Sequence, residues 1–141
     1  MLKSVRLFLL TLLAVGTLMG ASVGSASAAE EKISRDQVLA IPDKATAEWT
    51  PIGGFQVQLR YGTYNGTQYA WAKLDNYPSD RQGGIWLESS SDSGATWATR
   101  SIYSTTVSNF TEGIATSSSS SFVMRACYRG PETNKWCTDK W

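Results

Sequence analysis

From Phe55 the chain alternates. Phe55, Val57, Leu59 and Tyr61 are separated by Gln56, Gln58 and Arg60, the period-two pattern of a strand with one wet face. Asn65-Gly66 follows. Both residues accept the positive φ of a type I′ turn, so the chain is expected to double back as a hairpin. The return strand is read over Gln68 to Leu74, with Tyr69 and Trp71 on one face and Ala70, Ala72 and Leu74 on the other.

The same grammar continues downstream. Asp75 to Gly84 reads as a loop, marked by Asn76, Pro78, Ser79, Asp80 and Gly83-Gly84. Ile85–Ser89 and Thr96–Tyr103 read as strands around a turn at Ser90–Gly94. Asn109–Ala115 offers a further strand, and the serine run 117–121 a turn. Phe122–Tyr128 and Lys135–Trp141 close the series. Short strands at regular spacing, with no competing helical period, predict an all-β fold: an antiparallel β-sandwich or small barrel of six to seven strands with one disulfide.

The N-terminus is of another kind. Lys3 and Arg6 precede an apolar stretch, Leu7 to Met19, and Ala26-Ser27-Ala28 fits the small-x-small cleavage rule. Residues 1–28 therefore read as a signal peptide and the mature chain as starting at Ala29. The alternative is a membrane anchor, for which the apolar run is short. The expected destination is the extracellular space, with no membrane attachment after cleavage. Residues 29–49 read as a polar arm or a short helix capped by Ser34 and Gln37 and stopped by Pro42, and residues 50–141 as the β domain.

Two cysteines, Cys127 and Cys137, lie in the exported part, where disulfides persist. Gly130, Pro131 and Asn134 between them are turn residues, which suits a bridged hairpin. Such a bridge is worth about 2 to 3 kcal/mol. The alternative is a metal site, poorly served by a cysteine pair in a chain with no histidine. No metal and no cofactor are expected.

Ser90-Ser91-Asp92-Ser93-Gly94-Ala95-Thr96-Trp97 is the sharpest local pattern. Asp92 can accept backbone N–H groups across the turn, Gly94 can supply a left-handed corner, Thr96 starts the return and Trp97 packs back. The pattern resembles the Asp-box, S-x-D-x-G-x-T-W, a turn repeated in sialidases and related propellers. In that family it is structural, so the resemblance implies a stabilised hairpin and no sialidase activity. A wider resemblance covers most of the mature chain. Tyr69 to Leu74, Ile85-Trp86-Leu87, the Asp-box-like turn, Arg125-Ala126-Cys127, Cys137-Thr138 and Trp141 together resemble a small domain of secreted actinobacterial proteins. That domain occurs alone or attached to extracellular glycoside hydrolases. The resemblance implies an exported, polysaccharide-associated role and carries over no active-site residue.

If Ile85 and Leu87 point inward, Trp86 points out beside Glu88. An exposed indole next to a carboxylate is a sugar platform, the ring face stacking and polar neighbours taking hydroxyls. Trp71, Tyr69, Trp86, Glu88 and Tyr77 are the candidate ligand-binding residues, and an extracellular polysaccharide or cell-wall glycan the favoured partner. An outward Trp equally marks a covered edge or a protein contact.

Other chemistries have less to draw on. Without histidine the usual general base is missing, and no phosphate loop or dinucleotide fingerprint is present. A glycosidase needs only two carboxylates, and Glu88, Asp92, Asp75, Asp80 and Glu112 are available. A non-catalytic binding or accessory domain is the preferred reading. The alternative is a protease inhibitor, for which Arg129 or Lys135 in the disulfide-held segment 128–136 would enter a secreted protease. The net charge of +1 shows no basic stripe of the kind nucleic-acid binders carry.

Overall fold

The computed structural model describes residues 31–132 and 134–141, so the signal-peptide segment lies outside the described residues. Among the described residues the order is β1 (Lys32–Ile33), α1 (Arg35–Ala40), β2 (Ala45–Ile52), β3 (Phe55–Tyr64), β4 (Thr67–Asp75), β5 (Gly84–Ser90), β6 (Ala98–Ser104), β7 (Gly113–Ala115), β8 (Val123–Arg129) and β9 (Lys135–Cys137). They form two antiparallel sheets, β1-β7-β4-β3-β2 and β6-β5-β8-β9. No helix among the described residues is long and apolar enough to cross a membrane.

The hairpin signal works as its letters require. Asn65 and Gly66 take φ values of 48° and 81°. The two-residue turn pairs Tyr64 with Thr67. That register sets Leu59 opposite Ala72, and Arg60 opposite Trp71. Val57, Leu59, Ala70, Ala72 and Leu74 therefore face one way, onto Ile85, Leu87, Met124, Ala126 and Tyr128 of the second sheet. This shared layer makes the fold a sandwich, because large apolar faces from both sheets bury each other.

The other face of β4 is also buried, which puts the candidate ligand-binding residues Tyr69 and Trp71 out of reach of solvent. Tyr69 is 1 % and Trp71 2 % exposed. They sit in a second small core under Ile33, Val38 and Ile41. The segment read as an arm or short helix supplies that cover. Ser34 accepts from the Gln37 amide at 3.2 Å, and the Gln37 side chain accepts from the Ser34 amide at 2.8 Å, a complete capping box. The helix stops at Ile41, before Pro42. Lys44 Nζ donates to the Leu39 and Ile41 carbonyls at 2.7 and 2.5 Å, satisfying groups the helix end leaves free.

Close approach of this strap needs a glycine beneath it. A Cβ on Gly62 would stand 2.4 Å from Ile41 Cγ2. The boundary at residue 49 also gives way, since β2 runs through it. β2 is an edge strand with a bulge between Thr46 and Glu48 and a proline at Pro51, so its period-two signal is broken in the sequence. With β1, it brings the strand count above the six to seven expected.

The serine- and threonine-rich segment after β6 lies along the edge of β4. Leu74 N donates to the Asn109 carbonyl at 2.7 Å, and fully buried Thr111 exchanges bonds with Ala72. After β9 the tail stays on β8: Met124 and Trp141 exchange backbone bonds at 2.9 and 3.0 Å.

Candidate functional site

On β5 the alternation divides the strand cleanly. Ile85 and Leu87 are fully buried in the core, and Trp86 and Glu88 lie on the opposite, outer face of the sheet. The register sets Trp86 beside Cys127, which is paired with Cys137, while Glu88 is beside Arg125. On the other side Trp86 neighbours Ile102, 64 % exposed.

Glu88 is the hub of this face. Its Oε1 accepts from Trp86 Nε1 at 2.8 Å and from Lys135 Nζ at 2.8 Å, and its Oε2 from Arg125 Nε at 2.6 Å. These partners leave it only 6 % exposed. Burial pushes its pKa up, but the bonds from Lys135, Trp86 and Arg125 outweigh that, and the carboxyl is held below its ordinary range. Arg125 in turn lies 4.0 Å from the centre of the Trp97 ring, and Lys135 Nζ 5.5 Å from that of Trp86.

The turn between β5 and β6 anchors one end of this chain of contacts. Asp92 Oδ1 accepts from the Thr96 amide at 2.8 Å, and Oδ2 from the Thr96 hydroxyl at 2.5 Å. Ser90 Oγ donates to Asp92 at 2.5 Å and accepts from the Gly94 amide at 2.8 Å. The bonds from Ser90 and Thr96 lower the Asp92 pKa to about 2. Gly94 takes a φ of 93°, and Trp97 packs so closely on it that a Cβ there would stand 3.1 Å from the indole.

A shallow groove of about 700 Å³ runs along Trp86, floored by Gly84, which contributes no side chain. Glu88, Thr99, Ile102 and Lys135 are among its walls, with Gly130-Pro131 at one end. Its apolar surface comes from the indole, Ile102 and Pro131, and its polar side chains include Glu88, Thr99 and Lys135. Trp86 is half-buried and its N–H is fixed by Glu88. The ring is thus held in one orientation, a low-entropy platform for a ligand with an apolar face.

The remaining candidates are elsewhere. Tyr69 and Trp71 are under the strap on the other sheet, and burial raises the Tyr69 phenol to about 12. Tyr77 belongs to an aromatic cluster at the core margin, edge-on to Phe55 at 5.1 Å, with its hydroxyl 3.2 Å from that of Tyr128. So the five residues proposed from sequence do not form one surface: Trp86 and Glu88 stay together, Tyr69 and Trp71 lie on the far side of the sandwich, and Tyr77 packs at the core margin. Lys135 and Arg125 are the partners that sequence reading missed. Their role depends on cross-strand register, which single-strand alternation does not report.

Three of the other candidate carboxylates are committed. Asp75 meets Lys73 at 3.4 Å, Glu112 pairs with Lys32, and Asp92 serves its turn. In the groove Glu88 is the one carboxylate among the described residues, whereas two-carboxylate hydrolysis needs a second nearby. Arg129 and Lys135 face each other across the β8–β9 ladder, and Glu88 holds the Lys135 ammonium. An inhibitory side chain needs the tip of a loop rather than its stem.

Cys127 and Cys137 are bonded to each other, with Cα atoms 4.1 Å apart. Glu88 lies with both sulfurs within 4.8 Å. Two joined sulfurs and two neighbouring cations make this poor ground for a metal ion.

Fold and site together define an all-β antiparallel sandwich with one disulfide and an aromatic, polar-walled groove on one outer face. No family model matches the sequence, and no curated protein or solved structure gives a match.

Proposed function

We propose that this chain is an exported, non-catalytic glycan-binding domain that works outside the cell. The observation that carries the reading is the Trp86 ring, half-exposed in a groove and locked through its N–H to Glu88. A sugar offers an apolar C–H face and a rim of hydroxyls. The indole suits the first; Lys135, Thr99 and the Gly130 backbone suit the second. The leader-like residues 1–28 and the Cys127–Cys137 bond fit an oxidising destination. The turn around Asp92 acts as a structural hairpin of the Asp-box kind, holding Trp97 against Arg125 and so steadying Glu88.

Sedimentation with insoluble cellulose, chitin, xylan and peptidoglycan tests the reading. Retention on at least one of them, competed by the matching soluble oligosaccharide, is expected. Recovery of all the protein in every supernatant contradicts it.

A further inference from the structure

The strap of β1 and α1 covers only part of the outer face of the β1-β7-β4-β3-β2 sheet. Beside it a row of residues crosses the sheet: Trp49 is opposite Gln58, Gln58 opposite Lys73, and Lys73 bridges to Phe110. Trp49 is 57 % exposed, among the most exposed large apolar side chains described. Between this row and α1 lies a hollow of about 210 Å³, floored by Trp71 and Phe110.

Cations rim this hollow: Lys44, Arg60 and Lys73 line it, and no carboxylate does so among the described residues. Their donors are unequally used. Lys44 gives two of its three donors to the end of α1. Arg60 gives Nε to the Ala45 carbonyl at 3.1 Å and Nη1 to Gln58 Oε1 at 3.2 Å, which leaves the second terminal nitrogen of its fork. Lys73 has one long contact, 3.4 Å to Asp75, and two further donors. Gln58 is 6 % exposed, and its Oε1 is the acceptor that holds the Arg60 fork in place.

We propose that this hollow binds the carboxylate of a uronic acid residue in an acidic glycan. The carboxylate meets Arg60 and Lys73, and a neighbouring sugar stacks on Trp49. Strands are spaced about 4.8 Å apart, so Trp49 and Lys73 lie roughly 10 Å from each other across the sheet. That is the reach of two linked sugar rings rather than one small anion. The apolar floor of Trp71 and Phe110 and the exposed Trp49 ring beyond the cations favour a sugar acid over a bare phosphate, which would want only charge. The residues involved are on the opposite sheet from Trp86, so the inference stands or falls apart from the groove there.

Titration calorimetry of the full chain with oligogalacturonate, with a neutral oligosaccharide of equal length and with benzoate tests it. Oligogalacturonate is expected to bind, more weakly as salt is raised, and the neutral chain at least tenfold more weakly. Arg60→Gln, Lys73→Gln and Trp49→Ala should each weaken it roughly tenfold or more, the scale of a lost charge-assisted bond or ring contact. Trp86→Ala should leave it unchanged. Circular dichroism separates these losses from misfolding, and Lys73, at the surface, is the variant least exposed to that objection. Equal binding of the neutral chain, no binding of oligogalacturonate, or benzoate binding as tightly as the sugar acid would each overturn the proposal. So would a loss caused by Trp86→Ala but not by Lys73→Gln.

Discussion

Trp86 and Glu88 stand two residues apart on one strand, joined by an indole N–H to carboxylate bond of 2.8 Å. The same carboxylate holds Arg125 and Lys135 on two neighbouring strands. A single side chain thus fixes the ring and ties β5 to β8 and β9. Glu88→Gln keeps the shape but removes the charge both cations answer. It is expected to lower stability by about 1 to 3 kcal/mol, read as a shift in the guanidinium midpoint at constant slope. Trp emission should change as the indole loosens. An unchanged midpoint would mean that the three bonds add nothing net.

Asp92 gives a pH dependence with a definite sign. Its folded pKa is about 2 against an ordinary 3.8, because Ser90 and Thr96 donate to its charged form. A depressed folded value adds stability that is complete above pH 4 to 5 and is lost as pH falls through the interval between the two values. Glu88, also lowered, acts in the same direction. Melting temperature should therefore drop between about pH 4 and pH 2. The drop should be shallower in Asp92→Asn, which is less stable at neutral pH and has less to lose. Parallel acid limbs for the two proteins would exclude this role.

The Cys127–Cys137 bond closes a loop with a sequence separation of 10 at the sheet edge. Reduction, or replacement of both by alanine, should cost about 2 to 3 kcal/mol in the unfolding free energy. It should also free Lys135 from its place beside Glu88, since β9 is only three residues long. Denaturation with and without reductant measures the first effect, and glycan retention the second. Retention that survives reduction undiminished would separate the staple from the groove.

Gly62 reports on the strap. A methyl there would meet Ile41, so Gly62→Ala should lift the segment from Ile33 to Ile41 off Trp71. Overpacking of this order costs roughly 1 to 3 kcal/mol. Limited trypsin digestion should cut faster after Arg35 and Lys44 in the variant. Equal rates would show that the strap yields without leaving its place.

The β-sandwich was legible where alternation met strong turn chemistry. Phe55 to Leu74, with Asn65-Gly66 between the strands, and Ser90 to Trp97 declared themselves. β2 did not, because a bulge and Pro51 break its period and, among the described residues, it stands at the end of its sheet. The capping box at Ser34 was readable, but what α1 would cover was not. Tyr69 and Trp71 share a face in any reading of the strand. Whether water or Val38 meets that face is decided by a segment some thirty residues away, which periodicity cannot see. Trp86 was placed outward correctly from Ile85 and Leu87. Its partners Arg125 and Lys135 follow only once the pairing of three strands is known. Trp49 went unnoticed as a surface aromatic because its strand was read as an arm.

Binding at Trp86 is the central claim, and affinity electrophoresis through the glycan that retains the protein tests it most directly. Wild type should be slowed in proportion to glycan concentration. Trp86→Ala, folded by circular dichroism, should bind roughly tenfold or more weakly, as loss of a stacked ring predicts. Trp86→Phe, which keeps a ring but not the N–H, should fall between them. Equal retardation of wild type and Trp86→Ala would contradict a glycan site on this face.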